Sequence, residues 1–514
     1  MEETANPLPY EIWKQISCYL KDKQLRRIMS AHRAFYDTAM DRLYREIDWQ
    51  KFDEDVVKTL ICMSCNPGLA LRVRTLHVAA PVLIALYGTP SDGAKTIIAN
   101  LSSHYIDRVK EGLGKGKPET TMQVEKLKMK IEARKPCNGR EMMETALSSM
   151  VNIQTCTFNS TQAPATAEPL IRVLQKTLSQ CVRKLVLECS RVYELQTLVN
   201  TTFQLKCIED LSVILRFHPD SSPTQRHSDQ KFLANRLAPF VNALHPTLRS
   251  FSINAARGVD YSTFLDALDV FPHLHQLSLQ LDFDDKKPSE PNTLIQFLRD
   301  NSSQLTSVTL HPSSSSDCPW GVFTSQLELD PQIFSNLRSL TIVDPPHDLK
   351  FVYSLIERSK DTLKCLRVEK CHLDLPQIRQ LGSTLGPTPV VSLGLEVDSL
   401  SPAVLDLLFK ELPTLESLSI VFDEVLSTRL NNQGEFVNFD INTGHSWPFQ
   451  RFTNTMRAGR YRGWSLSKLS LESRSYSEEY VRHILHSVAD ATFKLSTVNG
   501  KSLKATGYHG MTPH

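Results

Sequence analysis

The side chains with chemical potential are few and scattered. His483 and His486 stand three apart beside Glu478 and Glu479. Such spacing puts side chains on one helix face, and here it reads as the polar face of a last helix rather than a ligand set. Cys62-Met63-Ser64-Cys65 is a CxxC, but neither a second pair nor a nearby His completes a zinc site. Asp282-Phe283-Asp284-Asp285 lacks the glycine turn and distal Glu of a calcium loop. The sequence contains no GxxxxGK[ST], no strand-GxGxxG-helix, no HExxH and no GxSxG. The expectation is therefore no metal, no cofactor and no catalysis. The catalytic alternative is an unrecognised hydrolase with a deep pocket and convergent His, Asp or Ser.

Eleven cysteines, an odd number lying mostly beside apolar residues, read as reduced buried thiols. The 514 residues carry a net charge of +2, which exerts no bulk pull on nucleic acid or an anionic membrane. The longest apolar run, Ala79–Tyr87, is far short of a membrane span. The acidic, polar start MEETANP is unlike a signal peptide, so an intracellular location, cytoplasm or nucleus, is expected.

One string organises most of the chain. Val73-Arg74-Thr75-Leu76-His77-Val78 has the form apolar-x-x-apolar-x-apolar. The form returns with its first apolar residue at Ile153, Val182, Ile208, Leu248, Leu274, Leu305, Leu337, Leu363, Val390, Leu415 and Leu466. From Val182 to Leu415 the starts are mostly 25 to 32 residues apart, a leucine-rich-repeat period. The apolar-x-apolar end alternates as a strand does, and capped amphipathic stretches lie between the strings. Ser401-Pro402 opens one such helix, Asp330-Pro331 a second, and Ser477 a third. Helices are also expected over Asp229–Ala243 and Lys350–Asp361. Each unit exposes an apolar side until a neighbour covers it, so the units must stack. Leu363-x-x-Leu366-x-Val368-x-x-Cys371-x-Leu373 matches the full repeat, L-x-x-L-x-L-x-x-C-x-L. Elsewhere Asp282, Ser313, Pro345, Asp398 and Asp423 stand where a buried Asn or Cys ladder would run. Curvature should accordingly be irregular.

Alternation turns the residues between the apolar ones outward, where Ser and Thr predominate. A neutral, hydroxyl-rich stripe able to hold a partner segment is expected, with charged specificity from Lys184, Lys364, Arg367 and Lys468. The candidate substrate-binding residues are Lys184, Ser252, Ser278, Thr309, Thr341, Lys364, Arg367, Ser419 and Lys468. Nucleic acid would need Lys and Arg throughout such a surface.

Residues 6–49 have a different period. Ile12, Ile16 and Tyr19/Leu20 share one helical face, Leu25, Ile28 and Met29 begin a second, and Tyr36, Ala39, Met40, Leu43, Tyr44 and Ile47 form a third. Leu8-Pro9, Glu11, Ile12, Ile16 and Leu20, followed by Leu25 and Arg33–Phe35, resemble an F-box. Phe35 stands where the family often has Trp, and Tyr10 where it often has an acidic residue. The order of modules resembles the F-box/leucine-rich-repeat family, with degenerate, fungal-like repeats. The resemblance implies an α/β fold: a three-helix F-box-like bundle, then a right-handed leucine-rich-repeat solenoid, an irregular horseshoe. It divides the chain into a bundle (1–50), a solenoid (51–490) with a basic insertion near 110–140, and a tail (491–514). It also implies a non-catalytic substrate receptor of a Skp–cullin–F-box ubiquitin ligase. Leu8, Pro9, Ile12, Ile16, Leu20 and Leu25 would bind the Skp-type adaptor, and through it a cullin. The repeats would hold an unnamed protein substrate, with no nucleic acid and no membrane as partner. The alternative is a repeat scaffold with no ligase role, whose bundle only caps the solenoid.

Overall fold

A computed structural model describes residues 8–87, 139–160, 181–190, 195, 199, 205, 207–216, 223–255, 261–280, 290–311, 323, 325–327, 329–330, 332–345, 349–386, 388–426, 429–430, 436–437, 452–454, 456, 461, 463–492 and 495–502. Most of the basic insertion, with Asp282 and Ser313, lies outside them. The chain divides into two compact units, Met1–Ala256 and Arg257–His514. That boundary falls inside the expected repeats rather than near residue 50, because the bundle is joined to the first repeats.

In the first unit, α1 (Tyr10–Tyr19), α2 (Asp22–Ile28) and α3 (Arg33–Tyr44) form the bundle. The Pro9 carbonyl accepts from the amides of Ile12 and Trp13 and so opens α1, while His32 Nδ1 accepts from the Ala34 amide and opens α3. Leu25, Phe35 and Ala39 make the core, with Trp13, Leu20, Ile28, Met29 and Met40 against it. The third helix ends earlier than its period suggests. Ile47 belongs to a strand, β1 (Glu46–Trp49), which pairs with β2 (Thr75–Ala79) and puts Ile47 beside Leu76 and Trp49 beside Val78. A row of apolar neighbours already formed by the repeats outweighs one more helical turn.

Next come β3 (Thr155–Asn159), β4 (Lys184–Cys189), β5 (Asp210–Leu215) and β6 (Ser250–Ala255), each parallel to the one before. Their apolar residues stack in rows, Ile47-Leu76-Cys156-Leu185-Leu211-Phe251 and Trp49-Val78-Phe158-Leu187-Val213-Ile253. All are buried. Between β5 and β6 the helix expected over Asp229–Ala243 runs from Pro223 to Asn242, with a π-turn at Leu233–Leu237 just ahead of Pro239. Proline cannot donate the regular bond, and the π-turn absorbs that loss.

The second unit repeats the scheme with β7 (Gln276–Gln280), β8 (Ser307–His311), β9 (Ser339–Val343), β10 (Cys365–Leu373), β11 (Ser392–Leu400) and β12 (Ser417–Val425). A short antiparallel pair, β13 (Arg429–Leu430) and β14 (Phe436–Val437), stands apart, and β15 (Lys468–Ser473) pairs parallel with β12. Helices Lys350–Arg358, Leu375–Leu385, Pro402–Glu411 and Glu478–Ala491 lie between and after the strands. Ser401 caps its helix by accepting from the Val404 amide at 3.4 Å. The helix expected after Asp330-Pro331 is instead a run of turns in which Phe334 takes φ 72°. A bulky residue in the left-handed region cannot continue a helix.

The expected tail is a further correction. Thr497–Val498 (β16) pairs parallel with β15, and Lys501–Ser502 (β17) folds back on it. Asn499 and Gly500, at φ 45° and 74°, form the turn, as Asn-Gly does in tight hairpins. Asn499 also exchanges hydrogen bonds with the Leu471 backbone at 2.9 and 3.2 Å, so Val498 closes the apolar row beside Leu469. In both units a strand and, in most repeats, a helix recur on the apolar-x-apolar period. That arrangement fits a leucine-rich-repeat type of solenoid. Among the described residues no helix is long and apolar enough to cross a membrane.

Candidate interaction surfaces

The bundle has two unlike faces. Ile12, Ile16 and Tyr19 follow at i, i+4 and i+7 and form one flank of α1, with Leu8 and Pro9 just ahead. Leu8 is 49% exposed, Ile12 41%, Ile16 37% and Tyr19 83%. None of these four is among the residues packed against the bundle core. Leu20, by contrast, is half-buried against the core, and Leu25 is 1% exposed within it. Neither Leu25 nor the inner flank of α1 is free to meet a partner without opening the bundle. Tyr19, absent from the expected contact set, is the most exposed of the group, and its i+7 spacing from Ile12 was the signal for it.

The other face is tied down. Arg42 of α3 donates to the carbonyls of Ser17, Cys18 and Leu20 and to Asp22, at 2.7 to 3.2 Å. One guanidinium thus satisfies the bare C-terminal carbonyls of α1 and binds the start of α2. Ser17 and Thr38 hydroxyls meet at 2.7 Å between α1 and α3. Asp37 accepts from Tyr10 at 3.0 Å and from Arg72 at 2.7 Å, and Arg72 also pairs with Asp41. Arg72 lies just before β2, so this knot fastens α3 to the first repeat. Burial pushes the Asp37 carboxyl up, but hydrogen bonds from Arg72 and Tyr10 outweigh it and hold the group below its ordinary range.

The strand residues between the buried apolar ones also fall in rows, most of them half-buried, with Arg367 exposed and Gly394 buried. In the second unit Ser278, Thr309, Thr341, Arg367, Gly394, Ser419 and Ser470 stand side by side. Thus Ser278, Thr309, Thr341, Arg367 and Ser419 share one row. Lys468 belongs to the preceding row with Ser417 and Thr497, and Lys364 lies one residue ahead of β10. A Cβ at Gly394 would meet Arg367 Cγ at 3.0 Å, so a larger residue there would make the Arg367 side chain shift. In the first unit Ser252 follows Asp48, His77, Thr157, Val186 and Ser212, while Lys184 sits between Thr155 and Asp210 and pairs with Asp210 at 2.9 Å. That row is mostly neutral in both units, broken by Asp48 in the first and Arg367 in the second, while the preceding row of the first unit holds Glu46, Lys184 and Asp210.

A polar cluster that sequence reasoning missed closes the far ends of β10, β11, β12 and β15. Between Val368, opposite Leu395, and Leu373, opposite Val397, β10 has more residues than β11. The excess bulges, with Lys370 at φ 54°, and brings His372 over β11. His372 Nδ1 lies 3.3 Å from Asp398 and 3.1 Å from Asp423, and its Nε2 is 3.1 Å from Arg474. Arg474 also pairs with Glu396, whose other oxygen accepts from the Lys370 amide at 2.8 Å. Asp398, Asp423 and Arg474 each follow the last apolar residue of their repeat string by three, the signal that could have placed them together. Here residues that stand in place of an Asn or Cys ladder meet across strands at His372.

Burial pushes the Cys371 thiol up to about 11, helped by Glu396, Asp344 and Asp398, and the Cys156 thiol to about 12. Neither supplies a thiolate at neutral pH. Cys62 of the CxxC lies against Tyr44, whose hydroxyl is raised to about 12 by burial and by that neighbour. His483 is exposed and His486 half-buried on the last helix.

No family model matches the sequence. No curated protein matches it either. Among solved structures, the leucine-rich-repeat-containing protein LegL7 from Legionella pneumophila is similar with a TM-score of 0.37 and 12% identity, over 61% of this chain and 93% of that one.

Proposed function

We propose that this chain is the non-catalytic substrate-recognition subunit of a Skp–cullin–F-box type ubiquitin ligase. The reading rests on the resemblance of residues 6–49 to an F-box placed ahead of leucine-rich repeats. The observation that carries it is the ridge of Leu8, Ile12, Ile16 and Tyr19, left uncovered on a bundle whose own core is closed. An apolar patch of this kind is a mark of a protein interface. Pro9 fixes the approach to α1, and Ile12 and Ile16 present one ridge to the adaptor. The repeats hold the substrate and raise its local concentration near the conjugating enzyme. The chain itself supplies no reacting group.

The second reading is a repeat scaffold in which the bundle serves as an end cap. The Arg72 knot with Asp37 and Asp41 favours it. Calorimetry with a Skp-type adaptor, alongside circular dichroism, separates the two. Under the ligase reading, Leu8→Ala/Pro9→Ala abolishes binding with helix content unchanged. A wild-type chain that does not bind the adaptor leaves only the scaffold.

A further inference from the structure

The first unit carries a second ordered row, at the edge where its strands begin. The residues immediately ahead of β1 to β6 are Arg45, Arg74, Gln154, Arg183, Glu209 and Arg249. Their backbones are in register. The Arg74 amide donates to the Arg45 carbonyl at 2.8 Å, Gln154 to Arg74 at 2.8 Å, Arg183 to Gln154 at 2.9 Å, Glu209 to Arg183 at 2.8 Å and Arg249 to Glu209 at 2.7 Å. These residues are therefore held one strand apart by the start of the ladder. The same positions of the second unit hold His275, Thr306, Arg338, Lys364, Val391, Glu416 and Ser467, so the arginines are not a demand of the repeat.

The charge is poorly matched within the fold. Among the described residues Glu209 is the carboxylate that faces both Arg183, at 3.8 Å, and Arg249, at 4.0 Å. Those arginine side chains remain 69% and 64% exposed. Arg45 is exposed, and Arg74 spends Nη1 on the Asn152 carbonyl. This row thus holds four guanidinium groups and one acid, which only Arg183 and Arg249 approach.

We propose that this arginine edge binds an extended segment of a protein partner that carries Asp or Glu at every third residue. The proposal rests on the reading of the repeats as a substrate-holding surface, and it supplies that substrate's chemistry. Arg74, Arg183 and Arg249 are two strands apart in turn, roughly 9.5 Å at the usual strand separation. Three residues of extended chain span roughly 10 Å. Acidic side chains at that interval meet successive arginines, and those between face Gln154 and Glu209. Glu209, with Glu46 and Asp210 in the next row, interrupts the positive field, which suits discrete carboxylates better than a continuous phosphate backbone. The neighbouring row of Glu46, Thr75, Thr155, Lys184, Asp210 and Ser250 offers no aromatic ring for a base to stack on.

The test uses the full chain and fluorescence anisotropy with a labelled peptide of Glu-Gly-Ser repeats. A peptide of the same composition with its glutamates contiguous, and an oligothymidylate, serve as comparisons. The spaced peptide is expected to bind best and to weaken as salt rises. Arg183→Glu/Arg249→Glu should weaken it about tenfold, the sum of two exposed pairs reversed. Glu209→Gln should tighten it about threefold, a gain that loss of folding cannot mimic. Equal binding by wild type and both variants overturns the proposal. So does no binding of the spaced peptide, equal affinity for the contiguous one, or tighter binding of the oligothymidylate. Adaptor affinity measured on the same samples keeps the two readings apart. A chain that binds the spaced peptide but not the adaptor sinks the ligase reading alone; the reverse sinks this proposal alone.

Discussion

The inner and outer faces of the N-terminal bundle are built from the same forty residues and behave as opposites. On the inner face almost every polar group has a partner: Arg42 on three carbonyls, Ser17 on Thr38, Asp37 between Tyr10 and Arg72. On the outer face Ile12, Ile16 and Tyr19 meet solvent. A bundle this small has too little core to spend apolar residues without return. The contrast teaches that fastening and apolar exposure are separated here, with hydrogen-bonded fastening on one flank of α1 and an exposed apolar ridge on the other.

Mutations can sharpen or break that division. The largest effect is expected from Leu25→Ala, which empties the core and should cost about 2–5 kcal/mol. It should appear as faster amide exchange across Tyr10–Tyr44. Unchanged exchange would mean that the core is elsewhere. Arg42→Ala should follow, at about 0.5–1.5 kcal/mol, because it removes several hydrogen bonds to helix-end carbonyls that water replaces only in part. Exchange should rise first at the end of α1.

Asp37→Asn is expected to cost about 1 kcal/mol, as the pair is partly solvated. It carries a pH signature. The Asp37 carboxyl is held below its ordinary range, so its contribution is full above about pH 4 and is lost as pH falls through the folded value. Docking of α3 on the first repeat, followed by exchange of α3, should therefore weaken in acid in wild type and be flatter in the variant. An identical acid profile would remove Asp37 from that role. Smallest of all, Ile12→Ala/Ile16→Ala should change stability by no more than about 0.5 kcal/mol per site. If it instead destabilises like Leu25→Ala, the ridge is core and the division collapses.

Much of this was readable in the chain. Every repeat string from Val73 to Leu466 has its apolar residues buried, with the strands on its later half. Alternation and period sufficed because stacked neighbours demand the same residue types at the same rungs. Ile47 escaped that logic, since its spacing from Leu43 and Tyr44 satisfies a helix and only its pairing with Leu76 reveals the strand. Asn499-Gly500 was legible as a turn but passed over in a polar tail. The His372 cluster was legible only in part: a shared spacing aligns Asp398, Asp423 and Arg474, but His372 reaches them through a bulge that shifts register. In the surface rows the hydroxyls of the second unit were foreseen and the arginine edge of the first was not. Apolar residues define the repeat string, and the position between Val73 and Thr75 carries no such pattern, so its charge aligns only once the strands are in register.

Arg42 and the Asp37–Arg72 knot have a mechanical consequence. A molecule gripping the ridge of α1 pulls on a helix whose far end hangs from one guanidinium and whose near end is linked through Tyr10 to Asp37. The load then passes through Arg72 into the root of β2. Force applied at Ile12 reaches the sheet along a short chain of charged hydrogen bonds as well as through the contacts of Trp13 and Leu20 with the core. The bundle acts as a stiff bracket, not a tether, and it fixes the angle at which anything mounted on α1 faces the strands of the first unit.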